Sequence, residues 1–205
     1  MARLAVAERE RTDADFRREV VWLAERWVGL EHLFTWSEGG QFVADGLVLG
    51  QINGRPLRFS YLLRCDSSWC VRAVRVEVLP RGPKLHLLSD GAGTWRDELG
   101  REMPALEGAI DVDISVTPFT NTLPIRRLAL EPGESRSLRV VYVDAPSLSL
   151  RVAEQRYTCL ESGRDGGLYL YAHDSVEAEL AVDQDGLVID YAGAWRQTGE
   201  SLRGG

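Results

Sequence analysis

A chain of 205 residues with a formal charge of −7, 44% hydrophobic residues and six tryptophans is sized for one domain with a substantial core. That balance excludes a disordered chain and, with no local block of basic residues, argues against nucleic acid and anionic membrane as partners. The apolar start of MARLAVAERERTDADF is too short for a signal-peptide core, and no segment has the apolar length to cross a bilayer, so a soluble, cytoplasmic protein is expected.

Residues 12–28 are predicted to form a helix. Thr12 or Asp13 would cap it, Phe16, Val20, Leu23, Ala24 and Trp27 would form its apolar stripe, and Gly29 would end it. The chain then divides into a helical extension over 1–30, packed on or capping a sheet, a β domain over 31–196 and a flexible tail over 197–205. From Leu30 onward the pattern is almost all strand. LEHLFTW, QFVADGLVLGQI, PLRFSYLLRC and WCVRAVRVEVL are alternating, β-branched and aromatic, separated by Gly39-Gly40, Asn53-Gly54 and Asp66-Ser67-Ser68. Asn53-Gly54 signals a tight hairpin, since both residues tolerate positive φ. Phe59, Tyr61 and Leu63 share a face, as do Val74, Val76 and Val78, which pairs these two strands antiparallel.

KLHLLSD, TWRDEL, the central stretch and then SLRVVYVDA, SLSLRVAEQRYTCLE, GLYLYAHD, AELAVD and GLVIDYAGAW follow, with Gly-rich or Asp-Gly punctuation. About a dozen short strands in one domain cannot lie flat, because twist accumulates and edges stay exposed. The expected fold is therefore all-β: one curled antiparallel sheet, a roll or open barrel, with one N-terminal helix and an interior.

Cys65, Cys70 and Cys159 make an odd count and read as reduced thiols. With His32, His86 and His173 the only histidines, no paired spacing builds a zinc site, and no metal or cofactor is expected. Asp183-Gln184-Asp185-Gly186 reads as a hairpin turn, since Ala181 and Ala192 stand where a calcium loop needs acids. G-x-S-x-G, P-loop, Rossmann and H-E-x-x-H patterns are absent from the sequence.

The unusual chemistry lies in DVDISVTPFTNTLPIRRLAL, Asp111–Leu130. Asp111, Asp113, Ser115 and Thr117 alternate with Val112, Ile114 and Val116 as on a strand, which breaks at Thr117-Pro118. A polar corner, Thr120-Asn121-Thr122, precedes Pro124, and the chain is expected to resume as a strand with Arg126 on the side of Leu128 and Leu130. A guanidinium there needs an acid, and Asp111 and Asp113 are nearest in sequence. The corner's hydroxyls and amide, with an arginine nearby, suit a sugar or phosphate headgroup, and equally suit a turn satisfying its own backbone. Paired aspartates also serve acid–base chemistry, although an adjacent arginine would depress them. Trp69, Trp95, Tyr61, Tyr169, Tyr171, Tyr191 and Trp195 form an aromatic stock that would line a pocket or fill a core.

DVDISVTPFTNTLPIRRL, with GLVLGQINGRPLRFSYLLRCDSSWCVR and AELAVDQDGLVIDYAGAW, resembles a bacterial glycolipid-binding family over residues 35–195. The resemblance implies a lipid or glycolipid ligand, for which Asp111, Asp113, Thr117, Asn121, Thr122, Arg126, Arg127, Trp69, Arg72 and Tyr191 are the candidate contacts. The leading expectation is an apolar interior that holds the lipid, with the polar cluster orienting its headgroup. The alternatives are a hydrolase of a glycolipid or ester that uses an aspartate of the cluster, and a structural or interaction domain with a filled core.

Overall fold

A computed structural model describes residues 16–203. The first half of the chain is a meander of seven strands: β1 (Arg17–Ala24), β2 (Val28–Glu38), β3 (Gln41–Ile52), β4 (Arg55–Cys65), β5 (Val71–Val78), β6 (Lys84–Ser89) and β7 (Trp95–Asp97). The central stretch supplies β8 (Asp111–Ile114) and one short helix, α1 (Thr122–Leu128). A second meander follows: β9 (Ser135–Asp144), β10 (Ser149–Gly163), β11 (Gly166–His173), β12 (Val176–Asp183), β13 (Val188–Tyr191) and β14 (Trp195–Arg203).

All fourteen strands belong to one curled, unclosed sheet in the order β7-β6-β5-β4-β3-β2-β1-β14-β13-β12-β11-β10-β9-β8. The two meanders join where β1 pairs with β14. Among the described residues only β8 on β9 is parallel, and the strands beside it are antiparallel. Asn53 and Gly54 take φ of 50° and 74° and turn β3 into β4 as the sequence predicts. The free edges, β7 and β8, are successive in the chain and are brought together. The Trp95 indole donates to the Ala109 carbonyl at 2.7 Å, and the Gly108 amide donates to the Gly93 carbonyl at 2.9 Å.

Three expected segments differ. Residues 16–28 form β1 and the start of β2 rather than a helix, and residues 12–15 lie outside the described part. The inward face of β1 is Arg18, Val20 and Trp22, all buried. A charged residue in the apolar phase breaks the visible alternation, while the outward Leu23 and the turn residue Trp27 imitate a helical stripe. Conversely, Ile125-Arg126-Arg127 is helical. Pro124 falls in the first turn of α1, where its missing N–H costs nothing, and Ala129 ends the helix in the left-handed region at φ 45°. Residues 197–203, expected in a flexible tail, belong to β14, which pairs with β1 up to Arg18↔Arg203, and residues 204–205 lie outside the described part.

The interior is packed. Trp22, Phe59, Leu63, Leu87 and Trp95 from the sheet meet Ile114, Val116, Phe119 and Leu123 from the central stretch in one buried cluster. The curl therefore encloses its own 109–125 segment, and the space expected for a lipid is occupied by these side chains. Arg18 fastens the roll across its inner face. It reaches past two strands to Asp183 at 2.5 Å and to Asp185, both on the β12–β13 turn. With Arg18 3% exposed, its removal leaves two acids without their cation. Arg18→Ala should cost about 3–5 kcal/mol in denaturant unfolding. A loss under about 1 kcal/mol, the scale of a surface pair, would contradict this role.

Candidate functional site

At the end of the roll that carries the β1–β2, β11–β12 and β13–β14 turns, a cleft of about 250 Å³ opens. Its floor comes from the central stretch: Asp113, Ile114, Ser115, Thr117 and Asn121. Its walls are aromatic, with Tyr142, Tyr171, Tyr191, Trp27 and Trp195, and Arg26, His173 and Val176 stand around them. β8 ends at Ile114, where a turn closed by the Thr117 amide donating to the Ile114 carbonyl at 3.2 Å leads into Pro118, which has no N–H to give a ladder. The corner thus presents side chains rather than a strand to the opening.

Asp113 accepts from the Gln155 amide at 2.6 Å and from the Thr120 hydroxyl at 3.1 Å, both uncharged donors. Burial raises its pKa, while those two bonds, and His173 and Arg151 at longer range, pull it down. The phenols of Tyr142, Tyr171 and Tyr191 are all pushed up, first by burial and then by the Asp113 charge, Tyr191 to about 12. They are therefore neutral donors around an acid. Tyr171 sits edge-to-face between Tyr157 at 5.4 Å and Tyr191 at 5.9 Å, which fixes its ring.

The ten predicted ligand contacts separate into groups. Asp113, Thr117, Asn121 and Tyr191 line the cleft. Asn121 accepts from Tyr157 at 2.8 Å and donates to the Pro118 carbonyl at 3.0 Å, so its amide is already held by the corner. Asp111 is fully buried and takes both its bonds from Arg127, at 3.0 and 2.5 Å, in a bidentate pair that pins α1 to β8. Burial raises the Asp111 pKa against the pull of Arg127. Thr122 is buried, and its hydroxyl has no partner among the described residues.

The remaining three lie elsewhere. Arg126 does not meet the aspartates, since the helix turns it toward the Trp69 ring, with its guanidinium 5.1 Å from the ring centre. Trp69 is buried and stacked on Phe42 at 4.1 Å, a core contact. Arg72 bonds the Asp90 carbonyl and lies 3.7 Å from Asp66, tying two loops together. Asp111 and Asp113 have separate partners, and the hydrolase reading has no support here. No group of acids, histidines and cysteines able to hold a metal occurs among the described residues.

Sequence reasoning passed over the carboxylate beneath this floor. Glu31 on β2 is fully buried, with no cation beside it among the described residues. Its Oε1 accepts from the Tyr61 phenol at 2.5 Å and from the Thr117 hydroxyl at 2.8 Å, and its Oε2 has no partner among the described residues. Thr117 also accepts from the Phe119 amide at 3.0 Å, so Glu31 orders the corner that faces the cleft. Tyr61 reaches Glu31 by crossing β3 over Gly46, where an added Cβ would lie 2.1 Å from the ring. The signal was present in the sequence, since Glu31 falls in phase with Leu33 and Thr35, the inward residues of β2.

A family model described as "Putative glycolipid-binding" matches residues 19–197. The chain belongs to this family. The crystal structure of a DUF1089-family protein from Pseudomonas aeruginosa is similar at 38% identity, covering 83% of this chain and 92% of that one, with a TM-score of 0.72. None of the curated proteins compared with the chain matches it. No helix among the described residues is long and apolar enough to cross a membrane.

Burial lifts Glu31 from an ordinary 4.5 to about 8, so between those values the folded protein keeps a proton that the unfolded chain has released. Its contribution to stability is full below about 4.5 and is lost as pH rises through about 8. Glu31→Gln should flatten that decline, gaining a few kcal/mol over the parent protein on the alkaline side, since each tenfold change in proton affinity is worth ~1.4 kcal/mol. Parallel stability–pH curves for the two proteins, from denaturant unfolding, would contradict a buried neutral acid.

Proposed function

We propose that this protein binds the sugar headgroup of a glycolipid in the cleft floored by Asp113, Thr117 and Asn121. The observation that carries the reading is the composition of the cleft: one carboxylate, a set of neutral phenols and two tryptophans converge on a single opening. A sugar ring offers vicinal hydroxyls at its rim and apolar C–H faces above and below. Asp113 can accept from hydroxyls, Tyr142, Tyr171 and Tyr191 can donate or accept, and the rings cover the C–H face. The family to which the chain belongs supports the ligand class.

At about 250 Å³ the opening falls below the ~300–1,000 Å³ of sites for drug-sized ligands, a scale suited to a headgroup and not to its acyl chains. Glu31 and the Asp111–Arg127 pair serve as supports in this reading. The first holds Thr117 in place, and the second fixes the helix that closes the floor.

The test is calorimetric titration with a monoglycosyl glycerol. Asp113→Asn should weaken binding by roughly tenfold or more, the range for a hydrogen bond to a charged group. Tyr191→Phe, which keeps the ring packed against Tyr171 and removes only the hydroxyl, should weaken it several-fold while leaving the melting temperature nearly unchanged. Affinities equal to the parent protein's for both variants would remove the cleft as the site.

A further inference from the structure

Four large apolar side chains stand in solvent beside the cleft. Val28 is 77% exposed and Leu23, Leu49 and Leu30 are 46%, 39% and 37% exposed. They are contiguous. Cross-strand register places Leu23 opposite Leu30 and Leu30 opposite Leu49, so the three leucines form one row across β1, β2 and β3 on the outer face. The row is continued by Arg196 on one side and Arg58 on the other. Arg196 also pairs with Glu25. Val28 stands one ladder step nearer the end of the roll, immediately after Arg26 and Trp27, which line the cleft. Val176, at the opposite rim, is 40% exposed. The turn bearing Arg26 and Trp27 is itself anchored, with Arg26 donating to the Gly193 carbonyl at 2.7 Å and the Glu25 amide to the Ala194 carbonyl at 2.9 Å.

We infer that this end of the roll docks on a lipid bilayer, with Val28, Leu30, Leu23 and Leu49 entering the interface and the cleft mouth facing the headgroups. The inference rests on the proposed headgroup site and extends it. A cleft too small for acyl chains can hold a glycolipid only if the chains stay outside, and the chains of a membrane lipid stay in the membrane. The protein must then come to the surface with its mouth against it, where an apolar rim is what the hydrocarbon boundary meets. An apolar row bounded by arginines fits such a boundary, because guanidinium groups at its ends can reach phosphate oxygens while the leucines insert. The chain's net charge of −7 opposes long-range attraction to anionic lipid, so affinity has to come from this apolar contact and from the sugar.

The test is flotation of the full chain with phosphatidylcholine vesicles, with and without a monoglucosyl diacylglycerol, alongside titration with the soluble monoglucosyl glycerol. The double variant Val28→Asp, Leu30→Glu should lose vesicle binding by roughly tenfold or more, given the apolar area withdrawn, and should bind the soluble headgroup as the parent does. A parent that floats, with a variant that does not, supports docking even if neither binds soluble sugar, and that last result would remove the headgroup site instead. Equal flotation of parent and variant, or no flotation of the parent on either vesicle, would overturn the inference. So would a parent dimer in light scattering that the variant abolishes, which would mark the row as an interface between two copies of the chain.

Discussion

The molecule depends on one constraint: the sheet must curl around a polar-studded segment of its own chain. Residues 109–125 lie inside the roll, and they bring carboxylates, hydroxyls and an amide with them. Apart from the Thr122 hydroxyl, those groups are satisfied by the protein itself where water does not reach. Arg127 answers Asp111, Gln155 and Thr120 answer Asp113, and Thr117 answers Glu31, with Tyr61 completing the last of these. The polar groups left at the end of the roll line the cleft.

The same constraint explains why the sheet remains open. A closed barrel of fourteen strands would leave a wide lumen. Here the curl stops short, and the two edges are bridged by the link that leads into the enclosed segment, through Trp95 and Ala109. Arg18 on β1 holds the opposite wall against the β12–β13 turn. The interior is solid as a result, and the proposed binding site lies at the rim, where turns from both meanders meet. Rim positions can present aromatic rings without burying a ligand's whole length.

Much of this was legible in the sequence because strand alternation and Gly-based turns are local signals. Asn53-Gly54 and the pairing of Phe59, Tyr61 and Leu63 with Val74, Val76 and Val78 needed no knowledge of the remainder. The losses occurred where a tertiary partner overrides local pattern. Arg18 reads as surface until Asp183 and Asp185, far along the chain, are known to face it. Ile125-Arg126-Arg127 continues an alternating run, but its conformation is set by Pro124 in a first helical turn and by the pairing of Arg127 with Asp111. For the site, the sequence located the polar corner and Tyr191. It could not bring Tyr142, His173 and Trp27 to that corner, because each comes from a different strand or turn and only the curl makes them neighbours. Trp69 and Arg72 entered through the resemblance and lie away from this cleft.

The central claim is that a headgroup sits at the aromatic rim and not within the roll. Titrating ring-labelled tyrosine in the protein with a water-soluble glycosyl glycerol, followed by NMR, addresses it directly, since the six tyrosines report from distinct places. Saturable shifts at Tyr142, Tyr171 and Tyr191 with Tyr169 unmoved are the predicted result. Shifts at Tyr169 without those at the rim, or a spectrum that never moves, would contradict the account.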